Sequence, residues 1–185
     1  MKNSAILLFI TSVFILSFAA HDAANNNDIT NQDVKGGLIQ DRNMVQVGII
    51  VRDIETSAKA WADFFGVDVP GISIASSHEL NPTEYMSEST GAEAKLAFIN
   101  LENITIELIQ PLGEPSTWAD FLEAEGEGVH HIAFDIKDMD TRIREFEEFG
   151  IPMIQHGGWE TGEYGYMDGT EKLGIIIELL EHYDQ

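Results

Sequence analysis

Hydrophobic and polar residues alternate with two different periods along this chain, and these periods predict its strands and helices. The run from Met44 to Val51 is short, apolar and rich in β-branched residues, which is typical of a largely buried strand. Asp53 then occupies the position of a helix N-cap, and apolar residues follow at helical spacing until Gly66. We therefore predict a strand followed by an amphipathic helix.

Two further apolar segments in the first half predict a β-hairpin. Residues 96–101 and 104–109 flank the dipeptide Glu102-Asn103, which suits a tight turn between antiparallel strands. A stretch rich in Pro, Ser and Asn precedes them at 70–90. The first half of the chain is thus predicted to have the element order βαβββ.

The opening pattern returns in the second half of the chain. The sequence VHHIAFDIKDMD at 129–140 resembles MVQVGIIVRDIE at 44–55, at a constant offset of 85 positions. The segment GIIIELLE at 174–181 likewise resembles ITIELI at 104–109. The chain therefore contains an internal repeat, and we predict two modules of the same βαβββ kind joined by a short helix.

The remaining segments predict the domain organisation. Lys2 precedes an apolar run to Ala20 that ends in small residues, which is typical of a secretory signal peptide and a secreted or periplasmic protein. The alternative is an uncleaved N-terminal membrane anchor, although the run is short against the roughly 20 apolar residues of a spanning helix. The predicted boundaries are a signal peptide at 1–20, a disordered spacer at 21–43, and a folded domain at 44–183 with modules 44–112 and 128–183 and a connector helix at 116–125.

Composition excludes several classes of function. The 185 residues include 10 Lys or Arg and 32 Asp or Glu, which gives a net charge of −22 and argues against nucleic acid as a partner. There is no Cys, so the chain has no disulfide, thiolate nucleophile or Cys-bound metal. Any chemistry must come from His, carboxylate, amide or hydroxyl groups.

Four polar residues interrupt apolar strands at matching places in the two halves. Superposing the halves places Gln46 on His131 and Glu107 on Glu178, with a 14-residue insertion in the first half near 70–90. A buried carboxylate is costly unless it is paired, hydrogen-bonded or bound to metal. Each Glu alone could instead point to solvent from a half-exposed strand. The symmetric placement favours convergence of all four side chains on one cleft.

These four side chains form a ligand set for one divalent cation. An amide oxygen, an imidazole nitrogen and two carboxylates suit zinc, manganese, cobalt, nickel or iron, with solvent or substrate oxygens completing the shell. Two clustered carboxylates also repel each other, and a dication relieves that repulsion. The alternative is a metal-free pocket that holds one protonated acid.

The other histidines are weaker candidates. Because neighbouring residues of a strand face opposite sides, we expect His130 to point away from His131 and to lie on the surface or against a second layer. His156 is followed by Gly-Gly-Trp and is expected in a solvated loop. His78 and His182 are assigned no role.

At these residues the sequence resembles the vicinal-oxygen-chelate superfamily, which includes glyoxalase I, methylmalonyl-CoA epimerases, extradiol dioxygenases and bleomycin-resistance proteins. The likeness covers residues 44 to about 181 and is greatest to the epimerases in AFINLENITIELIQPLG, GEGVHHIAFDIKDMD and GIIIELLE. It implies an α+β fold in which two βαβββ modules form an open eight-stranded half-barrel around a metal. It also implies that the metal ligands are Gln46, Glu107, His131 and Glu178.

Two features differ from the epimerase pattern. Gln46 occupies the place of a His, so the order Gln, Glu, His, Glu resembles the zinc ligands of eukaryotic glyoxalase I instead. The epimerases carry a Glu acid/base just before a Gly, whereas this chain has Ser-Thr-Gly at 89–91 and Glu88 one place away. The resemblance therefore assigns no second proton-transfer residue.

The resulting hypothesis is a metal-assisted proton transfer next to a carbonyl. The ion, one of Zn, Co, Ni or Mn, would bind a small carbonyl or carboxylate substrate and stabilise an enediolate, while Glu178 or Glu107 removes and returns the proton. This predicts a divalent-metal-dependent isomerase, epimerase or lyase, and by analogy of fold a homodimer.

Two other classes of function stay open. The first is a secreted, bleomycin-resistance-like protein that binds a small ligand without turning it over. The second is a dioxygenase, which ranks lowest because that chemistry commonly uses two His and one carboxylate on iron, and the predicted set contains one His.

Overall fold

The structure is a computed structural model that describes residues 37–40 and 42–183. The predicted signal peptide and most of the predicted spacer lie outside the described residues. Within the described part, no helix is long and apolar enough to cross a membrane.

The first module contains six strands and one helix. In chain order they are β1 (Met44–Ile50), α1 (Ile54–Phe65), β2 (Ile72–Ala75), β3 (Glu84–Tyr85), β4 (Glu88–Ser89), β5 (Ala94–Asn100) and β6 (Thr105–Pro111). The short hairpin β3–β4 falls inside the Pro, Ser and Asn-rich stretch. The hairpin predicted around Glu102-Asn103 is formed by β5 and β6, which are antiparallel.

The second module repeats this order after a connecting helix. Its elements are α2 (Thr117–Ala124), β7 (Gly128–Asp135), α3 (Met139–Glu148), β8 (Met153–Trp159), β9 (Gly162–Met167), α4 (Thr170–Leu173) and β10 (Ile176–His182). The predicted pair of βαβββ modules is confirmed, with α2 as the connector between them.

All strands belong to one mixed sheet that curls into a half-barrel. Its order is β2-β5-β6-β1-β7-β10-β9-β8-β3-β4, so β1 and β7 join the two modules by antiparallel pairing. Within the modules, β1 is parallel to β6 and β7 is parallel to β10. The expected count of eight strands was wrong, because β3 pairs with β8 and adds the β3–β4 hairpin to the far edge.

Helices α1 and α3 cover the convex face at equivalent places. Asp53 and Asp138 accept hydrogen bonds at the N-termini of α1 and α3, from the backbone N–H of Thr56 and Thr141. Helix α1 packs on β5 and β6, and α3 packs on β8, β9 and β10. Each helix contributes its apolar stripe to a hydrophobic cluster that includes the outward-facing residues of the last strand of its module.

Two residues from the end of the predicted spacer also contact the folded domain. Leu38 and Ile39 are half-buried against the hydrophobic cluster under α3. The Arg142 guanidinium on α3 donates to the Leu38 carbonyl at 3.4 Å.

Candidate metal centre

Strand alternation turns both strand carboxylates towards the concave face of the sheet. On β6, Ile106 and Leu108 pack beneath α1, so Glu107 between them points to the other side. On β10, Ile177 and Leu179 pack beneath α3 in the same way. The equivalent residue between them, Glu178, therefore faces the concave side as well.

The strand register then places one further polar residue beside each carboxylate. Gln46 on β1 pairs with Thr105, two residues before Glu107, so both side chains lie on the same face. The same two-residue offset separates His131 on β7 from Glu178 on β10. Because β1 and β7 are neighbours, the two pairs meet at the junction of the modules.

The structure brings all four predicted residues together. One ligand atom from each of Glu107, His131 and Glu178 lies within 4.8 Å of the others, and all three residues are buried. His131 Nε2 is 3.1 Å from Glu178 Oε2 and 3.5 Å from Glu107 Oε2. The Gln46 amide donates to the same oxygens, at 2.8 Å to Glu107 and 3.3 Å to Glu178.

A glycine that the sequence analysis did not single out makes room for the imidazole. Gly48 lies directly across from His131 in the β1–β7 pair. A Cβ atom at position 48 would lie 2.0 Å from Cε1 of the His131 ring. The available signal was a glycine inside an apolar strand, since such a residue often marks a close approach by another group.

His130 is buried beside His131, so the expectation that it faces away was wrong. Gly48 pairs with His131 while Ile49 pairs with Val129, which leaves His130 as the extra residue of a β-bulge. The bulge breaks the alternation of the strand and places both rings inside the molecule. His130 is 1% exposed, and its Nδ1 lies 2.9 Å from His131 Nδ1.

This contact can orient His131 towards the carboxylates. Burial and the neighbouring His131 charge hold the pKa of His130 well below its usual value, so His130 is neutral and its Nδ1 can accept a hydrogen bond. His131 then donates from Nδ1 and keeps its Nε2 lone pair for a cation. This buried Nε2 faces the Glu178 and Glu107 carboxylates, at 3.1 and 3.5 Å.

The electrostatics of the cluster favour a positively charged ligand. Burial raises the pKa of the Glu107 carboxyl, the hydrogen bond with His131 opposes this, and the Glu178 charge adds to it. For His131, burial lowers the pKa, but the two carboxylates outweigh burial and raise it to about 9. The cluster thus gathers more negative charge than one imidazolium neutralises.

The residues present fit a divalent cation. The His131 Nε2 and the two carboxylate oxygens already converge. Gln46 now presents its amide nitrogen to the carboxylates, and a half-turn of the amide presents the oxygen instead. Three oxygens and one nitrogen suit zinc and the neighbouring divalent metals of the first transition series.

A cavity of about 490 Å³ opens on the concave face above these residues. Gln46, Glu107 and Glu178 lie in its wall, which is otherwise mainly apolar and aromatic. The other lining residues are Ile74, Ala75, Ser76, Ser77, His78, Thr83, Ala92, Leu96, Phe98, Trp118, Gly158, Trp159, Tyr164, Tyr166, Leu180 and His182. Burial raises the pKa of the Tyr164 and Tyr166 phenols, so both stay protonated and can donate hydrogen bonds.

Two histidines that were assigned no role line this cavity. They are His78 and His182, and the His182 ring lies against Trp159 with the centroids 5.5 Å apart. His156 lies in β8 rather than in the expected solvated loop, and its Nε2 is 2.7 Å from Glu163 Oε2 on β9. The glycines after His156 continue the strand, which is why the loop interpretation failed.

The segment where the epimerases carry a second Glu is organised differently. Glu88 is exposed on β4, at the edge of the sheet, and does not line the cavity. Thr90 is buried, and its hydroxyl donates to the Pro115 carbonyl at 2.9 Å. Neither residue is placed to exchange a proton with a molecule in the cavity.

Comparison with known proteins gives related sequences over most of the folded part. The profile of the Glyoxalase/Bleomycin resistance protein/Dioxygenase superfamily matches residues 45–167. The ethylmalonyl-CoA/methylmalonyl-CoA epimerase of Cereibacter sphaeroides is 28% identical over 138 residues, which are 72% of this chain and 92% of that protein. The mitochondrial methylmalonyl-CoA epimerase of Dictyostelium discoideum is 27% identical over 140 residues, 73% of this chain and 75% of that protein.

Solved structures resemble the fold. The crystal structure of methylmalonyl-CoA epimerase from Mycobacterium tuberculosis superposes with a TM-score of 0.52 at 23% identity, and covers 80% of this chain and 91% of that chain. At this level of identity the similarity supports the half-barrel architecture and leaves the chemistry to be argued from the side chains.

Proposed function

The chain belongs to the Glyoxalase/Bleomycin resistance protein/Dioxygenase superfamily, and from this we propose that it is a divalent-metal-dependent isomerase that moves a proton on a carbon next to a carbonyl. Similarity to methylmalonyl-CoA epimerases supports a reaction of the epimerase or isomerase type. The observation that carries the proposal is the buried convergence of Glu107, His131 and Glu178 beside Gln46 at the floor of a cavity.

The residues of the chain would have separate roles in binding the ion and in transferring the proton. Gln46, Glu107, His131 and Glu178 would hold the ion. When bound, the ion supplies Lewis-acid polarisation of the substrate carbonyl, which acidifies the adjacent C–H bond. Glu178 also lines the cavity, so its carboxylate can take the proton from that carbon and return it.

Several features of the cavity support this assignment. Glu107 and Glu178 come from different modules, so one can act as base while the other acts as acid. The apolar wall excludes water, which strengthens the electrostatic interactions made inside it. The protonated Tyr164 and Tyr166 can donate to substrate oxygens without competing for the proton that is transferred.

Substitution of the proposed base tests this function. We expect Glu178→Gln to lower solvent deuterium incorporation into 2-hydroxy ketones and 2-acyl thioesters by about 10²-fold or more, because the amide cannot accept the proton. Exchange is measured by NMR on zinc-loaded protein, and circular dichroism checks the fold. The matched control is Glu160→Gln, the same change at an exposed residue outside the cavity. Undiminished exchange in Glu178→Gln refutes the role of Glu178.

A second candidate is a protein that binds a small ligand without turning it over. The observation in its favour concerns the place where the epimerases carry a second Glu. Near that place this chain has Thr90, whose hydroxyl is hydrogen-bonded to the Pro115 carbonyl and which offers no carboxylate for proton transfer. Elemental analysis and exchange separate the two candidates. An isomerase contains about one ion per chain, lost in the Glu107→Ala/Glu178→Ala double variant, and exchanges deuterium. A simple binder shows ligand binding without exchange.

We also propose that the chain is exported by its N-terminal segment and forms a homodimer. The support for export is the apolar run that ends at Ala20, and the support for pairing is the open edges of the sheet at β2 and β4. Mass spectrometry of the protein from its native source tests export, because removal of the N-terminal segment lowers the mass of the chain. Light scattering of the purified protein tests the dimer.

A further inference from the structure

We propose that the site takes an uncharged carbonyl compound with an aromatic or alicyclic group, rather than an anionic thioester conjugate such as a CoA derivative. This substrate class rests on the proposed function, because it concerns the same cavity and the same metal centre. The evidence for this substrate class is the set of side chains in the cavity wall and the distribution of charge around them.

No Lys or Arg of the described residues lines the cavity. The described Lys and Arg residues are Arg42, Arg52, Lys59, Lys95, Lys137, Arg142, Arg144 and Lys172, and none of them is among the lining residues. A CoA thioester or a glutathione adduct carries several negative charges, and such groups are normally bound by Arg or Lys. This cavity wall offers no such partner.

Several of these cations are paired with acidic residues elsewhere. Lys95 lies 2.7 Å from Glu55 on α1, and Arg142 lies 2.6 Å from Glu145 on α3, both on the convex face. The Lys137 ammonium donates at 3.4 Å to the main-chain carbonyl of His182, and Lys137 itself is not a lining residue.

The start of helix α2 has two of its backbone amides already occupied. Helix α2 begins beside the cavity, because Trp118 in its first turn lines the wall. Gln155 Oε1 accepts from the Thr117 N–H at 2.8 Å, and the Ser116 hydroxyl accepts from the Ala119 N–H at 3.1 Å. The Thr117 and Ala119 amides of this helix start are therefore already paired within the protein and are not available to a phosphate or carboxylate.

The surroundings are acidic as well. His182 on the lining lies 3.7 Å from Asp135, and the whole chain carries a net charge of −22. A bound dication would be balanced by the two carboxylates of the candidate metal centre, which would leave no excess positive charge to attract a polyanion. A polyphosphate entering the cavity would meet an unfavourable potential.

The wall suits a ring instead. Trp118, Trp159, Phe98, Tyr164 and Tyr166 provide aromatic faces, and the Trp118 indole N–H donates to the Tyr166 hydroxyl at 3.0 Å, which holds these rings in place. Away from the candidate metal centre, the Ser, Thr and Tyr members of the lining offer neutral hydroxyls. The volume of about 490 Å³ lies in the range of pockets for compact organic ligands, roughly 300–1,000 Å³.

Isothermal titration calorimetry on the zinc-loaded full chain tests the inference. The probes are 2-hydroxy-1-phenylethanone, which is an uncharged aromatic 2-hydroxy ketone, and malonyl-CoA. We expect the ketone to bind at least about tenfold more tightly, with little dependence on ionic strength because no charge pairing is involved. Equal or tighter binding of malonyl-CoA overturns the inference, as does the absence of ketone binding.

A pair of charge variants locates the preference in the cavity. Ile74 lines the cavity and is 55% exposed, whereas Leu173 on α4 is 54% exposed and lies outside it. We expect Ile74→Arg to reduce the ketone preference by about fivefold or more, because it adds the missing cation, and Leu173→Arg to leave it unchanged. Equal effects of the two variants contradict an assignment to this cavity.

Deuterium exchange separates failure of the inference from failure of the proposed function. If deuterium exchanges only into methylmalonyl-CoA, the isomerase function is supported and the proposed substrate class is overturned. If the ketone binds selectively but deuterium exchanges into neither probe, the proposed ligand class is supported and the proposed catalytic function is refuted.

Discussion

The position of the His131 ring depends on a neighbouring residue that has no side chain. Gly48 faces His131 across the β1–β7 pair, and the ring occupies the space that a Cβ at position 48 would need. On its other side the ring contacts His130, which the β-bulge turns inward. The candidate ligand nitrogen of His131 is thus positioned by steric fit on one side of the ring and by a hydrogen bond on the other.

Gly48→Ala should damage the metal centre more than the fold. The new Cβ would lie 2.0 Å from His131 Cε1, so the ring or the strand must move. We expect zinc affinity to fall by about tenfold or more and the free energy of unfolding to fall by ~1–3 kcal/mol. Competition with a chromogenic chelator measures the affinity, and urea denaturation measures the stability.

Gly71→Ala is the matched control for this prediction. No atom lies within 4 Å of a Cβ built on Gly71, so this variant should change neither zinc affinity nor stability appreciably. Wild-type zinc affinity in Gly48→Ala would show that His131 does not need its observed position.

At the scale of elements, each strand that carries a candidate ligand carboxylate also contacts the first turn of the helix in its module. Gln110, three residues after Glu107 on β6, accepts from the Ile54 N–H of α1 at 3.0 Å. Glu181, three residues after Glu178 on β10, accepts from the Asp138 N–H at 3.0 Å and from the N–H that follows it at 2.7 Å. The repeat therefore extends to the contacts between the helix and the strand.

Removing these acceptors should lower stability in both modules. We expect Gln110→Ala to reduce the free energy of unfolding by ~1 kcal/mol and Glu181→Ala by ~2 kcal/mol, because a charged acceptor with two N–H donors contributes more than a neutral acceptor with one. Urea denaturation measures both. Glu171→Ala on the exposed α4 is the control and should be neutral. A neutral Glu181→Ala would contradict the proposed role of this contact.

At the scale of the whole molecule, the candidate centre connects the two modules. Gln46 and Glu107 come from the first module, and His131 and Glu178 come from the second. A bound ion would link them, and since it binds only the folded arrangement it should raise stability, by about 2.7 kcal/mol at a concentration one hundred times its Kd.

Stability should respond to pH in opposite directions with and without metal. In metal-free protein the pKa of His131 is raised from 6.5 to about 9, so its stabilising contribution is full below pH 6.5 and is lost as the pH rises to 9. With zinc, His131 must be neutral, so zinc binding strengthens over the same range. In the presence of a chelator, the Tm should therefore fall as the pH rises from 6.5 to 9. With limiting zinc, the increase in Tm that zinc causes should become larger over the same pH range.

The Glu107→Gln/Glu178→Gln double variant is the control for this pH dependence. Without the two carboxylates, the cause of the raised His131 pKa is removed, so the fall in Tm between pH 6.5 and 9 should largely disappear. A fall that persists unchanged in the variant would assign the pH dependence to other groups.

The sequence by itself determined which residues are candidates for chemistry and which face they share. Glu107 and Glu178 stand in apolar strands at equivalent places of a repeat, and Gln46 and His131 are matched in the same way. These inferences succeed because strand alternation and repetition are local properties, readable from residue types and their spacing.

Only the tertiary structure decided how these residues are surrounded. The bulge that buries His130 beside His131, the space left by Gly48, and the pairing of β3 with β8 all arise between segments far apart in the chain. The lining of the cavity by mainly apolar and aromatic side chains, without Lys or Arg of the described residues, has the same origin. Such features depend on strand register and on packing between modules, to which local residue patterns contribute only in part.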